Sequence, residues 1–257
     1  MLDYGLDMSD VVRDIALPDL VAEGYELDAL VSAQPDWSTD TPAVGWTIAH
    51  QIAHLASTDA NLLIALGTPA DFDAVLKHAA AEGPGHRDLD AAAGAAQPRS
   101  ELLAQWRAGR IEVAAALSDI PFDHAFPWYD SQLTPALMVP LRLMETWAHG
   151  QDIFDAVGVA HRPTSRLRHV ASLGVKGREL SFYTAQLPTP TEPFLVELTG
   201  PDGETWAWGP ADAAQRVQGS AVDFCLRVTQ RRSLAQTDLT AVGEDAQQWL
   251  EIARIFL

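Results

Sequence analysis

Apolar residues recur at mixed intervals of three and four through most of the first two thirds of the chain, and each such run predicts a helix with one buried face. After a short segment near residues 9–16, Pro18 opens a helix through Leu20, Val21, Tyr25, Leu27, Leu30 and Val31 that ends by Pro35. A polar loop over 36–44 leads to a second helix, with Thr47 placed to cap it and Ile48, Ile52, Leu55 and Leu62 as its apolar side down to Leu66. Beside that side runs a stripe of small polar residues, Thr47, His50, His54, Thr58 and Asn61, which is either a solvated face or the wall of a polar pocket. A shorter helix opens at Pro69 and runs through His78, and residues 83–98, rich in Gly, Ala and Pro, read as a loop with little order of its own. Leu102, Leu103, Trp106, Ile111, Val113 and Leu117 predict a helix from about Pro98. The segment 119–133 carries Phe122, Phe126, Trp128 and Tyr129, too many aromatic rings to stay in water, and is expected to fold over something. A further helix starts at Thr134-Pro135 or at Pro140 and stops at Gly158; a fifth, over about 165–186, closes the first domain.

The pattern changes after the proline-rich segment 187–193. Phe194 to Thr199 alternates like a half-buried strand, Pro201-Asp202-Gly203 turns, and Thr205 to Trp208 returns beside it. Arg216 to Gln218 reads as a third strand, with helices at about 220–230 and 244–256. The expectation is a mainly α protein: a helical bundle over 1–187 and a small α+β domain over 194–257, with no internal repeat.

Composition adds exclusions. The 257 residues are 47% hydrophobic and 20% charged, with a net charge of −18 and an isoelectric point near 4.6. Nucleic acid and anionic membranes are poor partners for such a chain, since phosphate binding needs a basic patch. The single cysteine, Cys225, cannot form an internal disulfide, and it sits in an apolar helical run as a packed thiol. The acidic N-terminus lacks the basic and apolar regions of a signal peptide, and no apolar run has the length of a membrane span, so the expected compartment is the cytoplasm.

The chemistry concentrates in two helices. Glu145 and His149 stand four apart and leave one helix on the same face, bracketed by Met138, Leu141, Ile153 and Ala156. A carboxylate buried there needs an opposite charge, which a divalent ion supplies. His50 and His54 stand four apart on the other helix, and either or both complete a three- or four-ligand N/O site suited to zinc; spacing alone does not choose between them. The bland reading is a solvated Glu and a hydrogen-bonded core histidine. Arg142 shares the sector of His149 and is a candidate for a substrate carboxylate or for an ion pair, and Asp152 for a partner to an imidazole N–H. His78, His86, His124, His161 and His169 show no ligand spacing and are expected at the surface or in loops. No Ser/His/Asp order, phosphate loop or dinucleotide fingerprint stands out.

Gly45-Trp46-Thr47 with His54-Leu55-Ala56, followed by Glu145-Thr146-Trp147-Ala148-His149-Gly150-Gln151-Asp152, resembles the DinB-like superfamily, closest to its mycothiol-dependent maleylpyruvate isomerase type. The resemblance covers roughly residues 18–160. It implies a DinB-like four-helix bundle in which His54, Glu145 and His149 bind a zinc ion with open positions; the family's tryptophan-to-ligand spacing selects His54 over His50. Residues 218–226 leading to Arg231-Arg232 are similar to the family's small, sterol-carrier-like C-terminal domain, where an arginine faces the active site. Arg231 is the match, Arg232 the alternative, and two solvated arginines at a helix C-terminus the competing reading. The implied activity is metal-dependent activation of a low-molecular-weight thiol, mycothiol, for isomerisation of, or transfer to, an electrophilic small molecule. A thiol-independent metal enzyme acting on a natural-product intermediate and a non-catalytic binding protein are the rival readings, and the chain is expected as a monomer or homodimer.

Overall fold

The computed structural model describes residues 12–255, so the N-terminus considered above for a leader, and the start of the segment near residues 9–16, lie outside the described residues. A π-helical turn, Val12–Ala16, runs into α1 (Leu17–Ala33), where Pro18 occupies the first turn, whose N–H groups have no intrahelical acceptor. Then come α2 (Ile48–Leu66), α3 (Pro69–Glu82), a 3-10 turn (Gly83–Gly85), α4 (His86–Ala95) and α5 (Arg99–Asp119). A hairpin of β1 (Phe126–Trp128) and β2 (Ser131–Leu133) leads to α6 (Pro135–Val157). Thr134 caps α6 with Pro135 in its first turn, so Pro140 is a buried interior residue and not the start; Gly158, at φ +68°, ends the helix in the left-handed region.

Helices α1, α2, α5 and α6 form the bundle, α1 and α2 each lying against both α5 and α6. Leu27 and Val31, Ile48, Ile52 and Leu55, Leu102 and Trp106, and Ile153 meet in its core, each contributing about 1.5–3 kcal/mol by leaving water. Two polar clusters cross-link it. Asp28 of α1 accepts from Arg107 Nε at 2.9 Å and Nη2 at 2.6 Å, and from Arg110 Nη2 at 2.8 Å, both on α5. Burial alone would push the Asp28 carboxyl up, but these guanidiniums and Ser32 outweigh it and hold it low. Deeper in, Arg142 Nη2 of α6 donates to Asp59 Oδ1 of α2 at 2.8 Å, both side chains almost wholly buried.

The stretch 83–98 is not a loop. It is mostly α4, lying along α2 so closely that a Cβ on Gly94 would sit 2.7 Å from the Cβ of Ala53. Its small residues are the condition for that approach. The aromatic segment folds inward as expected: Phe122 and Phe126 are buried, while Trp128 stacks on Phe72 of α3 at 5.8 Å between ring centres and Tyr129 meets the same ring edge-on at 5.9 Å. Among the described residues no helix is long and apolar enough to cross a membrane.

The chain divides into two compact units after His161, well before the proline-rich segment 187–193. The second contains α7 (Leu167–Lys176), α8 (Arg178–Thr184), β3 (Phe194–Thr199), β4 (Thr205–Trp208), β5 (Gln215–Ser220), α9 (Ala221–Val228), β6 (Thr240–Val242) and α10 (Glu244–Ile252). Its sheet has the order β4-β3-β5-β6, with β3 and β5 parallel and the outer pairs antiparallel. The helix expected over 165–186 is therefore two, α7 and α8, that meet at Gly177 and belong to this unit. Packing explains the assignment. A Cβ on Gly174 of α7 would lie 2.8 Å from the Phe224 ring of α9, and the Cys225 thiol donates to Leu167 O at 3.5 Å.

Replacing Gly94 by Val is expected to destabilise the bundle by about 1–3 kcal/mol, the cost of overpacking a tight helix crossing. Gly85→Ala, with nothing within 4 Å of the added Cβ, should stay within about 0.5 kcal/mol. Urea unfolding monitored by circular dichroism compares the two.

Candidate metal centre

The capping of α2 sets where its histidines point. Thr47 is the N-cap, and the Nδ1 of His50 accepts from the Thr47 N–H at 3.3 Å and lies 2.9 Å from Thr47 Oγ1, a reciprocal cap that occupies His50 at the helix end. One turn further on, His54 faces α6. Its Nε2 lies 3.4 Å from Glu145 Oε2, and His149 Nε2 lies 3.3 Å from the same oxygen. The two imidazole rings are 4.6 Å apart, and one ligand atom from each of His54, Glu145 and His149 falls within 4.8 Å of the others. His50 is not part of this group, so the choice that spacing left open falls geometrically on His54.

The direction of the hydrogen bonds around His149 determines which ring nitrogen carries the proton. The Thr41 hydroxyl donates to Trp46 O at 2.8 Å, so its oxygen accepts from Gln51 Nε2 at 2.9 Å. That orients the Gln51 amide with Oε1 toward His149, where Nδ1–H donates to it at 2.5 Å. His149 therefore turns Nε2 toward Glu145 and His54, and that nitrogen either donates to the carboxylate or, on losing its proton, becomes a metal ligand. Burial acts to raise the Glu145 carboxyl, but hydrogen bonds and charge from His149 and His54 prevail and hold it well below the usual carboxylate range. The side chains of His54, Glu145 and His149 keep exposures of 12%, 24% and 14%, so the group is reachable by a small molecule.

Trp46 covers one side, its ring 5.4 Å from that of His54 and stacked at 5.9 Å on His149. Its Nε1 donates to Asp88 Oδ1 of α4 at 2.9 Å, so the helix mistaken for a loop anchors the lid of this group.

Other candidates fall elsewhere. Arg142 Nη2 is bonded to Asp59, and Asp152 Oδ2 lies 4.0 Å from His149 Nδ1, farther than Gln51. Thr58 donates to the His54 backbone carbonyl and Asn61 to the Tyr129 hydroxyl, so neither touches the His54 ring through these bonds. His169 is buried in a helix and not at the surface, and His161 lies in a loop with its side chain turned inward; His161 Nε2 lies 3.5 Å from Glu23 Oε1 and, with Glu26, forms a second acid–histidine group. Arg231 and Arg232 lie in the second unit, where Arg231 Nη1 donates to Thr229 O and Arg232 Nη1 to Arg231 O. Cys225 is fully buried and its burial pushes the thiol up, away from a nucleophilic role. Gln51 and Thr41 escaped the sequence reading. The available signal was Gln51 itself, an amide among the apolar residues of α2 and 0% exposed.

Residues 20–154 match the family model described as mycothiol maleylpyruvate isomerase N-terminal domain, and residues 190–242 match that of wyosine base formation. Uncharacterized proteins from Mycobacterium tuberculosis strains CDC 1551 and H37Rv are each 50% identical over 240 residues, which cover 93% of this chain and 93% of the relative. Crystal structures of the mycothiol-dependent maleylpyruvate isomerase and of a histidine-to-alanine mutant align over 98% of both chains, with TM-scores of 0.60 and 0.61 at 16% and 15% identity. At that identity they show the fold alone. With more than half of its length matched by the model, the chain belongs to the mycothiol maleylpyruvate isomerase N-terminal domain family.

Proposed function

We propose that this protein is a metal-dependent enzyme in which His54, Glu145 and His149 hold one divalent ion, zinc by its donor set, and that it activates a small thiol, mycothiol, toward an electrophilic small molecule. One observation carries the reading: the bond chain from Trp46 O through Thr41 and Gln51 holds His149 by Nδ1 and turns its Nε2 toward Glu145 Oε2 and His54 Nε2. Two neutral imidazoles and one carboxylate fit a zinc site with a position to spare. When bound, such an ion lowers the pKa of a thiol or water to about 7.

The chain's own residues supply the rest. Gln51 fixes the tautomer and rotation of His149. Trp46 shields one side of both rings from water. Arg231, with Arg232 as the alternative, supplies positive charge for an anionic substrate group. Addition of the thiol sulfur to an activated C=C bond leaves a C–C single bond free to rotate; elimination then returns the thiol and an isomerised alkene, and an adduct that is kept makes the protein an S-transferase. The compartment is the cytoplasm, where such a thiol stays reduced.

Purified protein is expected to hold about one metal ion per chain, and His54→Ala close to none, by inductively coupled plasma mass spectrometry; equal content in both removes His54 from the site. Gln51→Leu should keep the fold yet bind the ion roughly 10–100-fold more weakly, read by competition with a chromogenic chelator. Turnover of electrophilic alkenes should require both metal and mycothiol and vanish in Glu145→Ala, whereas equal rates without the thiol would overturn its part in the reaction.

A further inference from the structure

Beneath the metal centre the bundle contains a second polar feature. A cavity of about 120 Å³ opens between α1, α2, α5 and α6, walled by Leu20, Trp106 and Val113 and lined by Arg110, Arg142 and Asp59. His54, Glu145 and His149 do not line it. Asp59 follows His54 by five residues, which is about 7.5 Å along the helix, one layer deeper.

Arg142 is only 3% exposed, and while its Nη2 is bonded to Asp59, its Nε and Nη1 have no hydrogen-bond partner; the Nε of Arg110 has none either. Leaving such donors unmade costs about 1–3 kcal/mol each, more when the group is charged. Charge is also out of balance in this layer. Arg107, Arg110 and Arg142 face two carboxylates, Asp28 and Asp59. Gly24 of α1 keeps Arg110 in place against the cavity: a Cβ there would lie 3.2 Å from its Nη1.

We infer that this cavity is a binding site for a small organic carboxylate, whose oxygens accept from the unpartnered guanidinium N–H groups of Arg142 and Arg110. The volume equals that of roughly four liquid waters, room for a carboxylate with a short aliphatic chain. One negative charge restores the balance, and the apolar walls suit a hydrocarbon substituent; a dianion carries a heavier desolvation cost. Tyr25 and Ile111 at the lining are 56% and 55% exposed, so the cavity has a way in from the surface. This site is independent of the metal reading.

Thermal unfolding of the full chain in propionate, chloride and inorganic phosphate at matched ionic strength tests it. Propionate should raise Tm saturably, by about 3–6 °C at ten times Kd, and chloride and phosphate should not. The shift should persist in His54→Ala, which separates it from binding at the metal, and disappear in Arg142→Met. Since Arg142→Met leaves Asp59 buried without its partner, Ala114→Leu, which narrows the cavity and keeps every charge, is the second variant and should also abolish the shift. No saturable effect of propionate, an equal effect of phosphate, or an unchanged shift in Ala114→Leu overturns the proposal and leaves a water-filled cavity.

Discussion

Thr41 has one hydroxyl proton, and the backbone carbonyl of Trp46 takes it. Everything downstream in the polar face of the bundle follows from that direction. The hydroxyl oxygen must accept from Gln51, the Gln51 carbonyl must accept from His149 Nδ1, and the other nitrogen of His149 is then the one turned to Glu145. The chain begins in a loop, crosses to α2 and ends on α6, so it also ties these parts in one register. Trp46 takes part twice, through its carbonyl at the start and through its ring over both imidazoles.

The ion pairs of the bundle work by position more than by strength. A buried pair regains in Coulomb energy about what it loses in hydration, so Arg142 with Asp59 adds little net stability, but separating them leaves charge stranded in an apolar core. Helices α2 and α6 therefore slide past each other only at high cost. That is the same pair of helices that carries His54, Glu145 and His149, the candidate metal ligands.

The parts of this architecture governed by local physics were legible in the residues. Helix periods, Thr47 as a cap, Gly158 as a stop and the Glu145/His149 pair are local, and they stand where the spacing put them, whereas β3, expected to be half-buried, lies inside the sheet with Phe194, Leu195 and Val196 all buried. Tertiary packing was not legible. The Gly- and Ala-rich stretch 83–98 has the composition of a loop, and only the groove beside Ala53 reveals why its helix is made of small residues. Arg142, assigned to substrate or ion pair on one helix face, found its acid on another helix, 83 positions away in sequence. β6 has three residues and too little pattern to be seen before its partner β5 is in place. Gln51 looked like an ordinary amide beside two histidines, because an orienting residue carries no spacing rule of its own.

Cys225 is sealed in the second unit, bonded to the carbonyl of Leu167, and is the one sulfhydryl the chain possesses. The polypeptide thus offers no accessible thiol of its own to compete for an electrophile. Thiol-selective maleimides in solution will consume whatever soluble mercaptan is present while leaving the buried Cys225 unlabelled, so inhibition by such reagents would report on the added reactant and not on modification of that cysteine.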